Sequence, residues 1–249
     1  MMTPRQISLD LVNYGCDVTM LQRSPTFIMT VKNGVEIFHS PLYSENAPPT
    51  DIADRKLESM PKHVLFLHHK HHLVPQVQER DRELLDGLRQ AGFALTVGPD
   101  GTGWQQLALE KAGGYYFDTG ASSKIVDGFI KVRSGEIASF AGGNKVVFKD
   151  GMSDDFDTII FATGYTGFDD TVRRTLGDKY ASMMESVFGL DSEGETRAVA
   201  RESGIPQMYW MVGHFALARI LSKVIATQIL AEQLGTFGPR YTIDAQRST

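Results

Sequence analysis

The sequence is poor in the features that announce a protein's class. It has a single cysteine, Cys16, in 249 residues. No disulfide can form within the chain, and a reducing, cytosolic compartment is favoured. It has no basic excess: 25 Lys and Arg stand against 30 Asp and Glu, a net charge of −5. That argues against an electrostatic footprint for nucleic acid. No run is apolar enough to span a bilayer. The best candidate, "HFALARILSKVIATQILAEQL", is interrupted by Arg219, Lys223, Gln228 and Glu232. The opening "MMTPRQISLD" lacks the long apolar run of a signal peptide. No G-x-G-x-x-G occurs anywhere, so the usual glycine cradle for a pyrophosphate is missing.

What is present suits an ordinary globular protein, with 42% hydrophobic and 22% charged residues. Ile7, Leu9, Leu11 and Val12 predict a helix running to Tyr14 and stopped by Gly15. "CDVTML" then reads as a buried strand ending at Gln22-Arg23-Ser24-Pro25. An irregular stretch with Pro41, Pro48 and Pro49 follows. From Asp51 to Gly92 the pattern is helical, with Leu84, Leu85 and Leu88 on one side. "GPDGTGW" is a turn-rich loop that follows no clear strand. "GFIKVRSGEIASFAGGNKVVFKDG" alternates strand-like runs with glycine turns and predicts an antiparallel meander. "FDTIIFATG" reads as a strand covered on both faces. A polar helical region is expected from Asp169 to about Arg201, then a buried strand in "QMYWMVG". A long helix spans about His214 to Leu234, with a loose tail after Gly235.

Three places in this pattern carry chemistry. The strand ending in Ala162-Thr163-Gly164-Tyr165 removes side-chain bulk where ligands approach open α/β sheets, beyond the carboxyl ends of strands. Read alone, a buried strand ending in an ordinary turn is the favoured reading. Arg23, with Ser24 and Gln22, closes the first strand without an Asp or Glu; read alone it is foremost a solvated arginine at a strand end, although a guanidinium can pair with a phosphate dianion. Gly213-His214 opens the last helix, whose free N–H groups can stabilise negative charge. The run "LHHKHH" sets His68 three and four residues from His71 and His72, a spacing that could chelate zinc. With no cysteine or acidic residue at useful spacing, it reads as a solvated cluster and no metal is assigned. Asp154, Asp155, Asp169 and Asp170 read as turn or N-cap residues.

"DTIIFATGY" resembles the ATGY stretch of flavin-containing monooxygenases and related FAD/NADPH oxidoreductases. "VTMLQRSPTFI", "ERDRELLDGLRQAGF", "GTGWQQLALEKAGGYYFDTGASSKIVDGFIKV" and "MYWMVGHFALARILSKVIATQI" are also similar, in family order, to segments of a flavin-monooxygenase-like group frequent in fungi. The resemblance implies an incomplete α/β flavoprotein fold with two dinucleotide-binding domains. Residues 1–113 would be a partial NADPH unit without its first strand. Residues 114–249 would be the C-terminal part of the FAD domain, with meander and closing helix. It also implies the cofactors FAD and NADPH. Arg23, Ser24 and Gln22 would lie at the 2′-phosphate. Ala162, Thr163, Gly164, Tyr165, Gly213 and His214 would lie against FAD, although relatives often carry Gly-Asn where this chain has Gly213-His214.

The implied reaction is hydride transfer from NADPH to FAD and oxygenation of a small, lipophilic or natural-product substrate. Both glycine fingerprints of that family are absent, as is the histidine–aromatic motif between them. "MMTPRQISLD" starts inside a supersecondary unit, as a truncated gene model or shortened homologue would. Activity would then need a complementing N-terminal half or a full-length relative. The alternative is a non-catalytic remnant that binds a nucleotide or a partner.

Overall fold

The computed structural model describes residues 4–164 and 167–239. The protein is mixed α/β and divides into two compact units. The first comprises Met1–Phe38, Lys70–Trp104 and Gly114–Gly164; the second comprises His39–His69, Gln105–Gly113 and Tyr165–Thr249. Each unit draws on both sides of residue 113, so compactness does not follow chain order.

The first unit starts with α1 (Pro4–Asn13), the helix expected from the leucine spacing. Four short strands follow along the chain: β1 (Val18–Gln22), β2 (Phe27–Thr30), β3 (Tyr115–Asp118) and β4 (Ile130–Ser134). β1 pairs in parallel with β4, Val18 opposite Ile130, and β2 pairs in parallel with β3, Phe27 opposite Tyr115. Val18, Met20, Ile28, Tyr116 and Ile130 meet in one apolar core, closed by Leu85, Leu88 and Ile125 from two helices. Burial on both faces explains the nearly continuous apolar character of β1 and β2.

The stretch expected to be irregular before Pro48 forms β2 and a 13-residue helix, α2 (Val31–Tyr43), with Pro41 in its last turn. The pairing of β2 is with residues far along the chain, so no local pattern announces it. Gly34 is needed where α2 crosses β2, because a Cβ there would overlap the Met29 thioether. The stretch expected as one meander also divides. β4 leaves to join β1, while β5 (Ile137–Phe140), β6 (Lys145–Phe148) and β7 (Ser153–Asp155) form the antiparallel sheet. Arg133 joins the parts: its guanidinium lies 3.8 Å over the Phe148 ring and pairs with Asp150 and Asp154.

The expected helical region beyond Asp51 is α3 (Thr50–Glu58), α4 (Lys62–His68), a π-helical turn at His69–Leu73, α5 (Val74–Arg80) and α6 (Arg82–Gln90). Asp81, buried between α5 and α6, is a brace for the first unit. Its carboxylate accepts from the Thr30 amide (2.7 Å), the Thr30 hydroxyl (2.8 Å) and the Asn33 side-chain amide (2.7 Å). It thereby satisfies the end of β2 and the start of α2 together. The "GPDGTG" loop precedes α7 (Trp104–Lys111) and does follow an extended residue, since Leu95 forms a parallel bridge with Thr26. The loop is packed on itself: a Cβ on Gly98 would meet the Gly103 carbonyl oxygen at 2.5 Å. α8 (Ala121–Val126) then leads from β3 to β4.

The second unit is helical, with α3, α4, α9 (Phe168–Leu176), α10 (Asp178–Ala181) and α11 (Phe215–Gln233). The polar helix expected to reach Arg201 stops much earlier. Phe188, Ala198 and Ala200 hold positive φ, as do Gly189 and Gly194, which breaks any regular helix. The strand expected in "QMYWMVG" is reduced to single bridges of Tyr209 with Glu202 and Trp210 with Val199. A small core of Val172, Ala181 and Ile205 lies beneath Trp210.

Asp81→Ala leaves the Thr30 amide without its acceptor. Urea unfolding should show a loss of about 2–3 kcal/mol, and Asp81→Asn, which keeps one acceptor oxygen, a smaller loss.

Candidate functional site

Residues 157–164 are the largest departure from expectation. Instead of a covered strand, they form no regular element and join none of the described sheets. Ile159 is 39% exposed, Ile160 52% and Phe161 65%. Among the described residues, no main-chain hydrogen bond engages residues 158–164. The Phe161 ring meets Phe140 edge-on, 6.2 Å between centroids. An apolar pattern alone cannot say whether a covering layer is present, and here the described residues supply none. Ala162, Thr163 and Gly164 therefore lie on an open shelf. Gly164 has φ +89°, and nothing lies within 4 Å of a Cβ placed there. Tyr165 lies outside the described residues.

At the end of β1 the three expected residues separate in role. Arg23 and Ser24 are exposed, and among the described residues Arg23 makes no hydrogen bond or ion pair. Its charge is felt at Glu136, whose carboxyl is held below its usual range mainly by Lys149 and slightly by Arg23. Gln22 is turned inward. Its carboxamide accepts from the Ala94 amide (2.8 Å) and donates to the Ala94 carbonyl (2.8 Å) and the Thr26 hydroxyl (3.3 Å). It closes the turn that presents Arg23 and Ser24. No described hydrogen bond or ion pair links these residues to Ala162–Gly164.

Gly213 and His214 belong to the second unit. Gly213 has φ +115°, and a Cβ there would meet the Leu217 side chain at 2.6 Å, so glycine lets α11 begin close to its own first turn. His214 is the N-cap of α11 with extended backbone, and its side chain makes no capping bond. α11 is fixed by Arg219, whose guanidinium donates twice to buried Asp54 (2.8 Å each). Tyr43 adds a hydroxyl bond to the same carboxylate (3.0 Å). The Arg219 bonds hold the Asp54 carboxyl below its ordinary range, and burial with the Asp54 bond pushes the Tyr43 phenol up to about 12. No sequence signal tied Asp54 to Arg219, which lie far apart in the chain.

The histidine run is not uniformly solvated. His68 and His71 are exposed, but His69 is 2% exposed, packed near the Phe66 ring. Among the described residues no three His, Cys, Asp or Glu side chains are grouped to hold a metal ion. The first unit also holds a cavity of about 300 Å³ lined by Ile28, Gln78, Leu85, Arg89 and Thr96, which no motif signalled. No described helix is long and apolar enough to cross a membrane.

No family model matches the chain. It is 31% identical over 161 residues to the probable indole-3-pyruvate monooxygenase YUCCA10 of Arabidopsis thaliana, a match covering 64% of this chain and 34% of that protein. The chain thus spans about a third of the length of the curated relative it matches. The similarity supports kinship with monooxygenase-type oxidoreductases, in line with the flavin-containing monooxygenase resemblance of its segments.

Burial holds His69 down to about 4, with the charges of His68 and His39 adding to the effect. The unfolded histidine titrates near 6.5, so between those values the unfolded chain takes up a proton that the folded one refuses. Stability should therefore fall as pH drops through that window, by on the order of 2–3 kcal/mol. Asp54 acts at lower pH, since its contribution is lost only as pH falls through its depressed value. Urea unfolding at neutral pH and at about pH 4.5 should show the loss, and His69→Gln should flatten the slope.

Proposed function

We propose that the chain is part of a flavin-dependent monooxygenase-type oxidoreductase that uses FAD and NADPH to oxygenate a small organic substrate. The observation that supports this reading most is the match to a monooxygenase over 64% of the chain. The open shelf at Ala162–Gly164 fits the proposal chemically. It offers unengaged main-chain groups beside small side chains, which suits the close approach of a flat or anionic ligand. Exposed Arg23 and Ser24 suit a 2′-phosphate, with Gln22 holding their turn. The amides opening α11 after Gly213 and His214 suit negative charge.

Bound flavin would supply the redox chemistry, accepting hydride from NADPH and activating oxygen. The work left to this chain is binding and orientation. The shelf at Ala162–Gly164 would limit where an isoalloxazine ring can lie. Arg23 discriminates between NADPH and NADH by charge-assisted hydrogen bonds. Within the second unit, and taken by itself, the N-terminal end of α11 suits an anionic group through its fixed dipoles. The partition into a partial NADPH domain at 1–113 and part of an FAD domain at 114–249 belongs to this same proposal.

Quenching of FAD fluorescence by the purified chain tests the shelf. Gly164→Val should weaken binding by about tenfold or more. Gly151→Val is the matched control, since Gly151 has φ +84° with nothing within 4 Å of a Cβ and lies in the meander. Equal loss in both variants, or no quenching by the parent chain, would overturn the assignment. Arg23→Ala should lower affinity for NADPH about tenfold and leave that for NADH unchanged.

A further inference from the structure

The cavity of the first unit has walls of three kinds. One is the extended segment Leu95–Val97, fixed beside β2: Leu95 bridges Thr26 in parallel, and the Thr96 amide donates to the Thr26 carbonyl (3.1 Å). The second is α5, which contributes Gln78, and the third is α6, which contributes Leu85 and Arg89. Asp81 ties the junction of the two helices to Thr30 and Asn33. Ile28 and Leu85 are buried, and Leu95 is half-buried, so part of the lining is apolar. The volume of about 300 Å³ stands at the small end of ligand sites.

The polar part of the lining is rich in donors and holds no Asp or Glu. Arg89 follows Leu85 by one helical turn, so both lie on one face of α6 and the arginine stem can run along the leucine. One terminal nitrogen of its guanidinium pairs with Asp86 at 2.5 Å, where both side chains are about half-exposed. Among the described residues its remaining N–H groups have no acceptor. Gln78 is half-buried, and its carboxamide makes no hydrogen bond to a described residue. The Thr96 hydroxyl accepts from the Gly98 amide (3.1 Å) and keeps its own proton to donate.

We propose that this cavity binds a small amphipathic monocarboxylate, its charged end on Arg89 and its apolar body against Ile28, Leu85 and Leu95. A cation is repelled by Arg89, and a phosphate dianion would meet one guanidinium and a half-apolar wall. A carboxylate matches the open side of the guanidinium fork, and Gln78 or Thr96 can donate to its second oxygen. Asp86 opposes the ligand, since it occupies one arm of the fork and adds negative charge at the mouth. Nothing in this site depends on the oxidoreductase reading above.

Hexanoate is titrated into the full chain while the methyl resonances of Ile28, Leu85 and Leu95 are followed. They should move saturably, and hexanamide, the neutral isostere, should bind about fivefold more weakly or worse. Arg89→Gln should weaken hexanoate about tenfold. Asp86→Asn should tighten it about threefold, because an exposed ion pair is cheap to lose. The opposite signs separate recognition from damage, since a loosened helix would weaken binding in both variants. Equal binding of hexanoate and hexanamide, insensitivity to both substitutions, or movement confined to Ile159 and Ile160 of the open shelf would overturn the proposal. No flavin enters the titration, so its failure and that of the FAD assay are distinguishable.

Discussion

Pairing of buried main-chain groups is the constraint on which the first unit depends. A strand taken from water must have each N–H and C=O met, or lose about 1–3 kcal/mol for each group left bare. The protein meets this demand with short parallel ladders and with side chains that imitate a neighbouring strand. Gln22 does so most directly, its carboxamide accepting from and donating to Ala94 as a peptide group would. Asp81 does the same for Thr30, where β2 gives way to α2. These two polar residues finish the ends of strands whose middles are held by Val18, Met20 and Ile28.

Local pattern made much of this fold legible. The leucine spacing of α1 and α6, the apolar run of β1 and the glycine-punctuated meander are all present. What escaped was whatever depends on distant partners. β2 is only four residues long and is defined by Tyr115–Asp118, so its neighbourhood read as loop. β4 was assigned to the meander because adjacency suggested it, whereas its partner is β1. The run at residues 157–164 shows the opposite failure. Its composition is that of a covered strand, yet Ile160 and Phe161 stand in the open. Sequence records what a segment is suited to, and burial needs a second surface.

The candidate site was legible to an uneven degree for the same reason. Small residues after an apolar run marked Ala162–Gly164, and nothing lies within 4 Å of a Cβ placed on Gly164. Arg23 stood out because an acidic residue was missing at a strand end. Gln22 looked like its companion, but parity in a strand sends neighbouring side chains to opposite faces. Gln22 is therefore buried while Arg23 is exposed. Asp54 carried no signal at all, since its meaning comes from Arg219 and Tyr43.

That clamp also explains how α11 can be positioned with so little apolar cover. Only Ile225 of the helix is buried, while Phe215 is 93% exposed. Apolar burial is too slight to fix such a helix, so its placement must come largely from directional bonds. Arg219 lies one turn into α11, and its two bonds to one carboxylate specify angle as well as distance. Gly213 closes the start of the helix against Leu217. The amide-bearing end is thereby held in register, whereas Leu230 and Leu234 toward the other end stay exposed. The fixing falls at the end where the free N–H groups lie, and their field fades within a turn, so it is this end whose direction the clamp defines.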